Sequence, residues 1–476
     1  MRFILFSVFI FLNTRVVTSQ TVQQRLDSLF QSLNTDGELS GAFLIVDSGQ
    51  VVFEKYLGFQ DASKTKRITS NSRFELASVS KQFTAMAIMQ LEEQGKISYD
   101  DDVVKYFPNL KFKNVRIKNL LRHTSGISDF LGWDPQWVDT KKINTNNDIL
   151  KIIETKLDST SFKAGDHYAY SNTNYVLLAL IVEKVSGQPF AAYMQQHIFK
   201  PAGMQHTSVF SARSPQADLK NYAKGMAYDA NTKKFKDIDD FVSFRYATYF
   251  DNINGPYGIS STAQDLYKWM LALQNNTLLK PRNFINAIST DTLNNGKPVQ
   301  MNGLYYGFGW LFTDSANNEN KMHFHTGGYP GYQNIIVREL ENQRYFIALT
   351  NKWNTINVYP LTAGVDAILR KEETPKIERE KLIEATTLSK FQVNKLLGTY
   401  AYDKQPELIF KITTDENHNL FAQLSGQLAV QIYPKNELEL FYTEVKAELK
   451  FLKENDQILS VTLYQNGREL TFNKVK

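Results

Sequence analysis

The sequence predicts a mixed α/β domain, with strands flanking a helix-rich middle, followed by a small all-β domain. Two observations carry this. Apolar residues repeat with strand spacing near residues 41–56 and again near 308–350, and with helical spacing between them. Beyond residue 408, short apolar runs recur about every ten residues with turn residues between, the rhythm of a sandwich or barrel.

The elements follow in order. Residues 21–34 place Val22, Leu26, Leu29, Phe30 and Leu33 on one helical face. The runs 41–47 and 51–56, split by Ser48-Gly49-Gln50, read as a β-hairpin. Residues 81–94 carry Phe83, Met86, Ala87 and Leu91 on one face and stop at Gly95, a buried helix. Residues 175–185 are more apolar still and stop at Gly187. Strands are predicted over 308–312, 335–337 and 345–350. Residues 371–387 are densely charged and read as a solvated linker between a domain over 20–370 and one over 388–476. In the tail, strands are predicted around 408–412, 420–424, 429–433, 438–442, 449–452, 458–463 and 470–472. Tyr400, Phe421, Tyr433 and Phe441 there read as core rather than as a ligand surface.

Composition removes several classes of chemistry. With no cysteine among 476 residues, disulfides, thiolate nucleophiles, Fe–S clusters and Cys-type zinc sites are excluded. The net charge of +5 is mild for this length and gives no argument for nucleic acid, whose binding usually needs a concentrated basic patch, so nucleic acid is not an expected partner. Met1-Arg2 followed by an apolar run to Leu12 reads as a secretory signal over residues 1–19, with Gln20 as the mature start. Arg15 is unusual so close to a cleavage point, and an uncleaved anchor is the competing reading. Losing Arg2 and Arg15 takes the charge from +5 to +3. The expected product is secreted or periplasmic, with no stable membrane span and no disulfides to hold it. Oligomeric state is not readable.

Three short motifs bear chemistry. Ser78-Val-Ser-Lys81 puts a hydroxyl and an ammonium one helical turn apart on one face, and a helix beginning at Ser78 adds a positive macrodipole end. Ser63-Lys-Thr-Lys66 has the same spacing in a polar stretch that looks like a turn. Tyr170-Ser-Asn172 offers a phenol for proton transfer and an amide to hold a lysine or substrate; Tyr332-Gln-Asn334 and Tyr464-Gln-Asn466 match the same pattern. His325-Thr326-Gly327-Gly328 offers small residues for close substrate approach and an amide for an oxyanion. His323 and His325 share a strand face, but a metal needs a third ligand and none is evident, so no metal and no cofactor are expected. His123-Thr-Ser-Gly126 reads as an ordered loop.

The order and separation of these motifs resemble the penicillin-recognising serine hydrolases with their Ser-x-x-Lys and Lys-Thr-Gly signatures. Tyr170-Ser-Asn172 resembles the class C β-lactamase branch. Residues 74–81, 97–108, 117–126, 258–266 and 306–310 add to the likeness, which spans roughly residues 38–370. It implies a β-lactamase/transpeptidase-like fold: an antiparallel sheet flanked by helices, plus a helical subdomain. It also implies roles. Ser78 is the nucleophile, Lys81 shares its proton network, and Tyr170 is general base in acylation and then activates water. Asn172 positions Lys81 and substrate. His325, Thr326 and Gly327 line the site, and the amides of Ser78 and Gly328 form the oxyanion hole. The implied reaction is acyl transfer to water through a serine ester.

His325 stands where the β-lactamases and D-Ala-D-Ala peptidases usually carry Lys, and the His-Thr-Gly form resembles esterases and D-amino-acid peptidases. The expected substrate is therefore a small molecule or peptide: an ester, an amide or a D-amino-acid peptide. A β-lactamase or D-Ala-D-Ala carboxypeptidase is the alternative, and an acylated sensor without turnover is the third reading. The tail resembles the β-barrel, lipocalin-like domains appended to some members, a resemblance that implies covering or shaping of the cleft.

Overall fold

The computed structural model describes residues 20–313, 321–379 and 381–475. The expected signal segment, 1–19, lies outside them. An eight-stranded antiparallel sheet organises the first part of the chain. Its order is Gln50–Leu57, Gly41–Asp47, Arg344–Thr350, Tyr332–Glu339, Met322–Tyr329, Leu311–Phe312, Leu304–Tyr306 and Gln300–Met301. The hairpin therefore pairs with the late strand Arg344–Thr350, closing the chain on itself across some 300 residues.

Both faces of Gly41–Asp47 are buried, which explains its apolar run from Ala42 to Val46. Ala42, Leu44 and Val46 point to the large core shared with the helical region. Phe43 and Ile45 point the other way, onto the helices Val22–Leu33 and Val358–Leu369. The helix Val22–Leu33 starts at a Thr21 capping box, Thr21 and Gln24 bonding reciprocally.

Two helices form the centre of the large core. Lys81–Glu93 is buried from Lys81 to Leu91, and Asn172–Ser186 from Asn172 to Val182. A helix buried all round has no solvent stripe, and each of these packs on the other. Gly95 at φ +68° and Gly187 at φ +70° follow them in the left-handed conformation. The predicted strand over 308–312 is reduced to Leu311–Phe312. Gly309 turns the backbone with φ +73° and lies so close to the Lys81 carbonyl group that a Cβ there would sit 2.8 Å away.

The tail is a closed barrel of eight antiparallel strands from Gly398–Tyr402 to Arg468–Lys474, sealed by pairing of the first with the last. Tyr400, Phe410, Ile412, Leu449, Val461 and Phe472 fill its interior. Tyr433 and Phe441 lie outside that core, packed with Tyr228 and Ala230 of the preceding α/β part. The charged segment before the barrel joins this seam. Its described residues form neither helix nor strand, and Leu382, Ile383 and Ala385 pack on the same cluster. Apolar side chains within a charged run are partly buried there, where two domain surfaces meet.

Among the described residues, no single helix is long and apolar enough to cross a membrane.

Candidate active site

Ser78 lies in a tight turn of helix, Ala77–Ser80, that leads into Lys81–Glu93. Ala77 just before it takes φ +51°, a conformation costing a non-glycine residue about 1–3 kcal/mol. Neighbouring strands hold it there. Leu76 N donates to Ile259 O at 2.8 Å, and Asn334 Nδ2 donates to Glu75 O at 2.8 Å. Gly327 packs flat on the Leu76 carbonyl, where any side chain would collide. Gly327→Ala is expected to lower stability by about 1–3 kcal/mol. Denaturant melts check this.

The motif residues converge on the Ser78 hydroxyl. Tyr170 OH lies 2.9 Å from Ser78 Oγ, and Lys81 Nζ lies 3.2 Å from it. Lys81 is wholly buried and also contacts Asn172 Oδ1 at 2.8 Å and Pro256 O at 3.0 Å. Burial pushes its pKa down to about 7, against the opposing charge of Asp129. Burial moves the Tyr170 phenol the other way, well above its usual range, so the neutral phenol is the resident form. The second Ser-x-x-Lys is elsewhere: Ser63 is exposed in a turn, its hydroxyl bonded to Asp61 and 3.1 Å from Thr65 Oγ1.

Several contributors carry no motif. Asp129 accepts from Asn172 Nδ2 at 2.8 Å and from its backbone N–H at 3.2 Å, so it fixes the amide that faces Lys81. Behind Tyr170 stands His123, its ring 4.2 Å from the Tyr170 ring. Ser171 N–H donates to His123 Nδ1 at 3.1 Å, which leaves the proton on Nε2, 3.1 Å from the Tyr306 hydroxyl oxygen. The Tyr306 hydroxyl then donates to His325 Nε2, also at 3.1 Å. His325 Nδ1 carries the remaining proton and donates to Thr326 O at 2.6 Å. Both nitrogens of His325 are thus engaged inside the protein, with the ring 3% exposed. Burial, with the Lys81 charge, pushes its pKa down to about 3, so it is neutral. The ring faces Tyr306, while Gly328 two strand positions beyond Thr326 is exposed. His323 is buried against Phe312 with neither ring nitrogen hydrogen-bonded.

The profile of the family described as "Beta-lactamase" matches residues 26–369, the whole stretch that builds this site. The chain belongs to the beta-lactamase family. It is a serine hydrolase. Within that family, it is 31% identical over 458 residues to "Penicillin-binding protein 4*" of Bacillus subtilis (strain 168), spanning 94% of this chain and 98% of that protein. Among solved structures it resembles a penicillin-binding protein from Bacillus halodurans, at 25% identity and TM-score 0.60 over 71% of this chain and 98% of that one. The octameric penicillin-binding protein homologue from Pyrococcus abyssi shares the fold over 94% of this chain and 99% of its own, with TM-score 0.62 at 20% identity.

The barrel reaches the neighbourhood of the candidate site. Trp353 Nε1 donates to Glu444 O at 2.9 Å, and Asn354 Nδ2 to Thr443 O at 2.6 Å. The Trp353 ring edge in turn lies 3.9 Å from where a Gly328 side chain would begin. A second contact places Gly426, Gln427, Leu428 and Val430 opposite Phe130, Trp133 and Tyr246, across a cavity of about 280 Å³.

Proposed function

We propose that this chain hydrolyses esters, amides or D-amino-acid peptides through an acyl group carried on Ser78. The observation that carries this is the pair of proton-transfer groups on Ser78 Oγ, one with its pKa pushed down to about 7 and one neutral. Neutral Lys81 keeps its two hydrogens on Asn172 Oδ1 and Pro256 O and turns its lone pair to Ser78. As Ser78 Oγ attacks the carbonyl carbon, its proton passes to Lys81 and the carbonyl electrons move to oxygen. The amides of Ser78 and Gly328 hold that oxyanion. When the intermediate collapses, the Lys81–Tyr170 pair gives a proton to the leaving group. In the second half the pair takes a proton from water, which attacks the ester, and returns one to Ser78.

We place the base on Lys81 rather than on Tyr170, the reading the family resemblance implied. A buried phenol resists ionisation, whereas a buried amine resists protonation. The rate therefore depends on pH in a defined sense. Below about pH 7 Lys81 is protonated and cannot accept; above it the amine is free. With a neutral ester, kcat/KM is expected to rise through about pH 7 and level off above it. A profile flat from pH 6 to 8 excludes Lys81 as acceptor.

His325 supports the preference for these substrates over β-lactams or D-Ala-D-Ala peptides. A neutral ring committed to Tyr306 and Thr326 offers no positive charge to a substrate carboxylate. Tyr170-Ser-Asn172 supports placement near the class C branch. The apolar run within residues 1–19 supports export to a secreted or periplasmic location. Intact-mass spectrometry with a panel of acyl donors tests the reading. Short esters and D-aminoacyl esters are expected to leave a transient adduct on the Ser78 peptide and to release product steadily. A stoichiometric adduct that never turns over overturns it in favour of a sensor. Fast turnover of β-lactams beside slow ester hydrolysis overturns the substrate preference.

A further inference from the structure

The two histidines of Met322–Tyr329 have different surroundings. His325 joins the hydrogen-bonded groups behind Tyr170, and His323 takes no part in them. His323 is 1% exposed, and neither of its ring nitrogens has a hydrogen-bond partner in the protein. Buried polar groups of this kind are costly to leave unpaired and are normally satisfied.

Directly opposite His323 on the neighbouring strand is Arg338. Residues opposed in an antiparallel pair share one face, with Cβ atoms about 4.5–5.5 Å apart. Arg338 is 3% exposed, and its Nε makes no hydrogen bond. Among the described residues no carboxylate acts on it. Glu339, next along the strand, faces the other side of the sheet, towards Arg344 and Arg370. What the guanidinium meets is neutral: the Phe284 ring, 5.7 Å away, and the Tyr345 phenol, which donates to Gln274 Oε1. Burial pushes its pKa down to about 10, which still leaves it charged at neutral pH.

The other charge nearby is also positive. Lys321 Nζ lies 5.2 Å from the centre of the Phe312 ring and donates to Ile288 O at 3.3 Å. Burial, with the charges of Lys321 and Arg338, pushes the His323 pKa down to about 3, so the ring is neutral. It has one N–H to give and no protein acceptor for it. A buried guanidinium among neutral neighbours lacks the opposite charge that offsets its desolvation. One negatively charged acceptor between the imidazole and the guanidinium satisfies both, whereas water answers only the imidazole. One guanidinium matches one negative charge, and the rings of Phe284 and Phe312 offer no donors to the additional oxygens of a phosphate.

We propose that His323 and Arg338 form a buried binding site for a small monovalent anion of the halide type, held between side chains of two adjacent strands. The site stands apart from Ser78 and does not depend on the hydrolase reading. The anion stabilises the folded chain, because the two strands present their side chains together only after folding.

The test follows thermal unfolding of the full chain at constant ionic strength, with sodium gluconate replaced stepwise by sodium chloride or sodium bromide. The wild-type Tm is expected to rise by about 3–5 °C between about 1 and 200 mM halide, the response of a ligand that binds the folded state alone. Arg338→Met keeps an apolar stem and removes the charge. It should abolish the halide response and melt no lower than the wild type in gluconate, since an unpaired buried charge is gone. His323→Phe should raise the half-saturating halide concentration at least about tenfold, the worth of one hydrogen bond to a charged group. Wild-type crystals soaked in bromide should show an anomalous peak between the two side chains. A wild-type Tm indifferent to halide overturns the proposal, as does a halide response that survives Arg338→Met or a bromide peak found only elsewhere. Arg338→Met melting well below the wild type in gluconate, with no halide response in either, assigns Arg338 to packing and overturns it as well.

Discussion

Ser78→Ala is expected to lower kcat/KM for every ester and amide substrate by roughly 10⁴–10⁶-fold, leaving only the rate enhancement of binding and the oxyanion donors. The fold should be untouched, because the neighbours that hold residues 74–77 bond to backbone atoms rather than to the Ser78 side chain. Lys81→Met should cost nearly as much, since the proposed mechanism passes the Ser78 proton to Lys81, 3.2 Å away. The double variant should therefore be no slower than the slower single one: groups that act as a unit do not add. Ser63→Ala is the control. Its hydroxyl is exposed and engaged with Asp61, so turnover and labelling should match the wild type. Steady-state rates, with intact-mass labelling by a covalent acyl donor, check all four variants. Additive losses would separate Lys81 from the proton path, and labelling that follows Ser63 would move the site.

The grouping of Ser78, Lys81, Tyr170 and Asn172 was legible in the sequence because these residues fall within two short motifs, although Tyr170 rather than Lys81 read as the base there. Ser78 and Lys81 are one helical turn apart, and Tyr170 and Asn172 immediately precede an apolar helix that ends in glycine. The groups that tune them were not readable. Asp129 lies 43 residues before Asn172, Pro256 lies 175 after Lys81, and Tyr306 lies 183 after His123. Each acts through one side chain or one carbonyl, with no repeated spacing to mark it. His123 looked like part of a loop because its role depends on a ring stack and two hydrogen bonds made only after folding. The same holds for Gly309: Phe308 to Phe312 has strand composition, but packing on the Lys81 backbone forces a left-handed turn in the middle. In the tail, the alternation revealed most strands but missed Gly398–Tyr402, which is short and completes the barrel by pairing with the last strand. The seam was invisible for a further reason. Trp353 and Glu444 are 91 residues apart on different domains, and neither belongs to a motif.

Tyr170→Phe separates the two proton-transfer groups. The substitution keeps the ring on His123 and under the Lys81 ammonium, 4.8 Å from the ring centre, and removes only the hydroxyl 2.9 Å from Ser78. Stability should change by about 1 kcal/mol or less, the worth of one partly exposed hydrogen bond. Turnover of amides is expected to fall roughly 10²–10⁴-fold, the usual contribution of a positioned acid or base. p-Nitrophenyl esters should lose far less, because p-nitrophenolate departs without a proton and an amine does not. If Lys81 is the acceptor, the pH limb near 7 survives in this variant, since burial of the amine does not depend on the Tyr170 hydroxyl. Acylation and release, followed separately by stopped-flow and intact mass, give the two halves of the reaction. Equal losses for amides and activated esters, together with disappearance of the limb, would return the role of base to Tyr170.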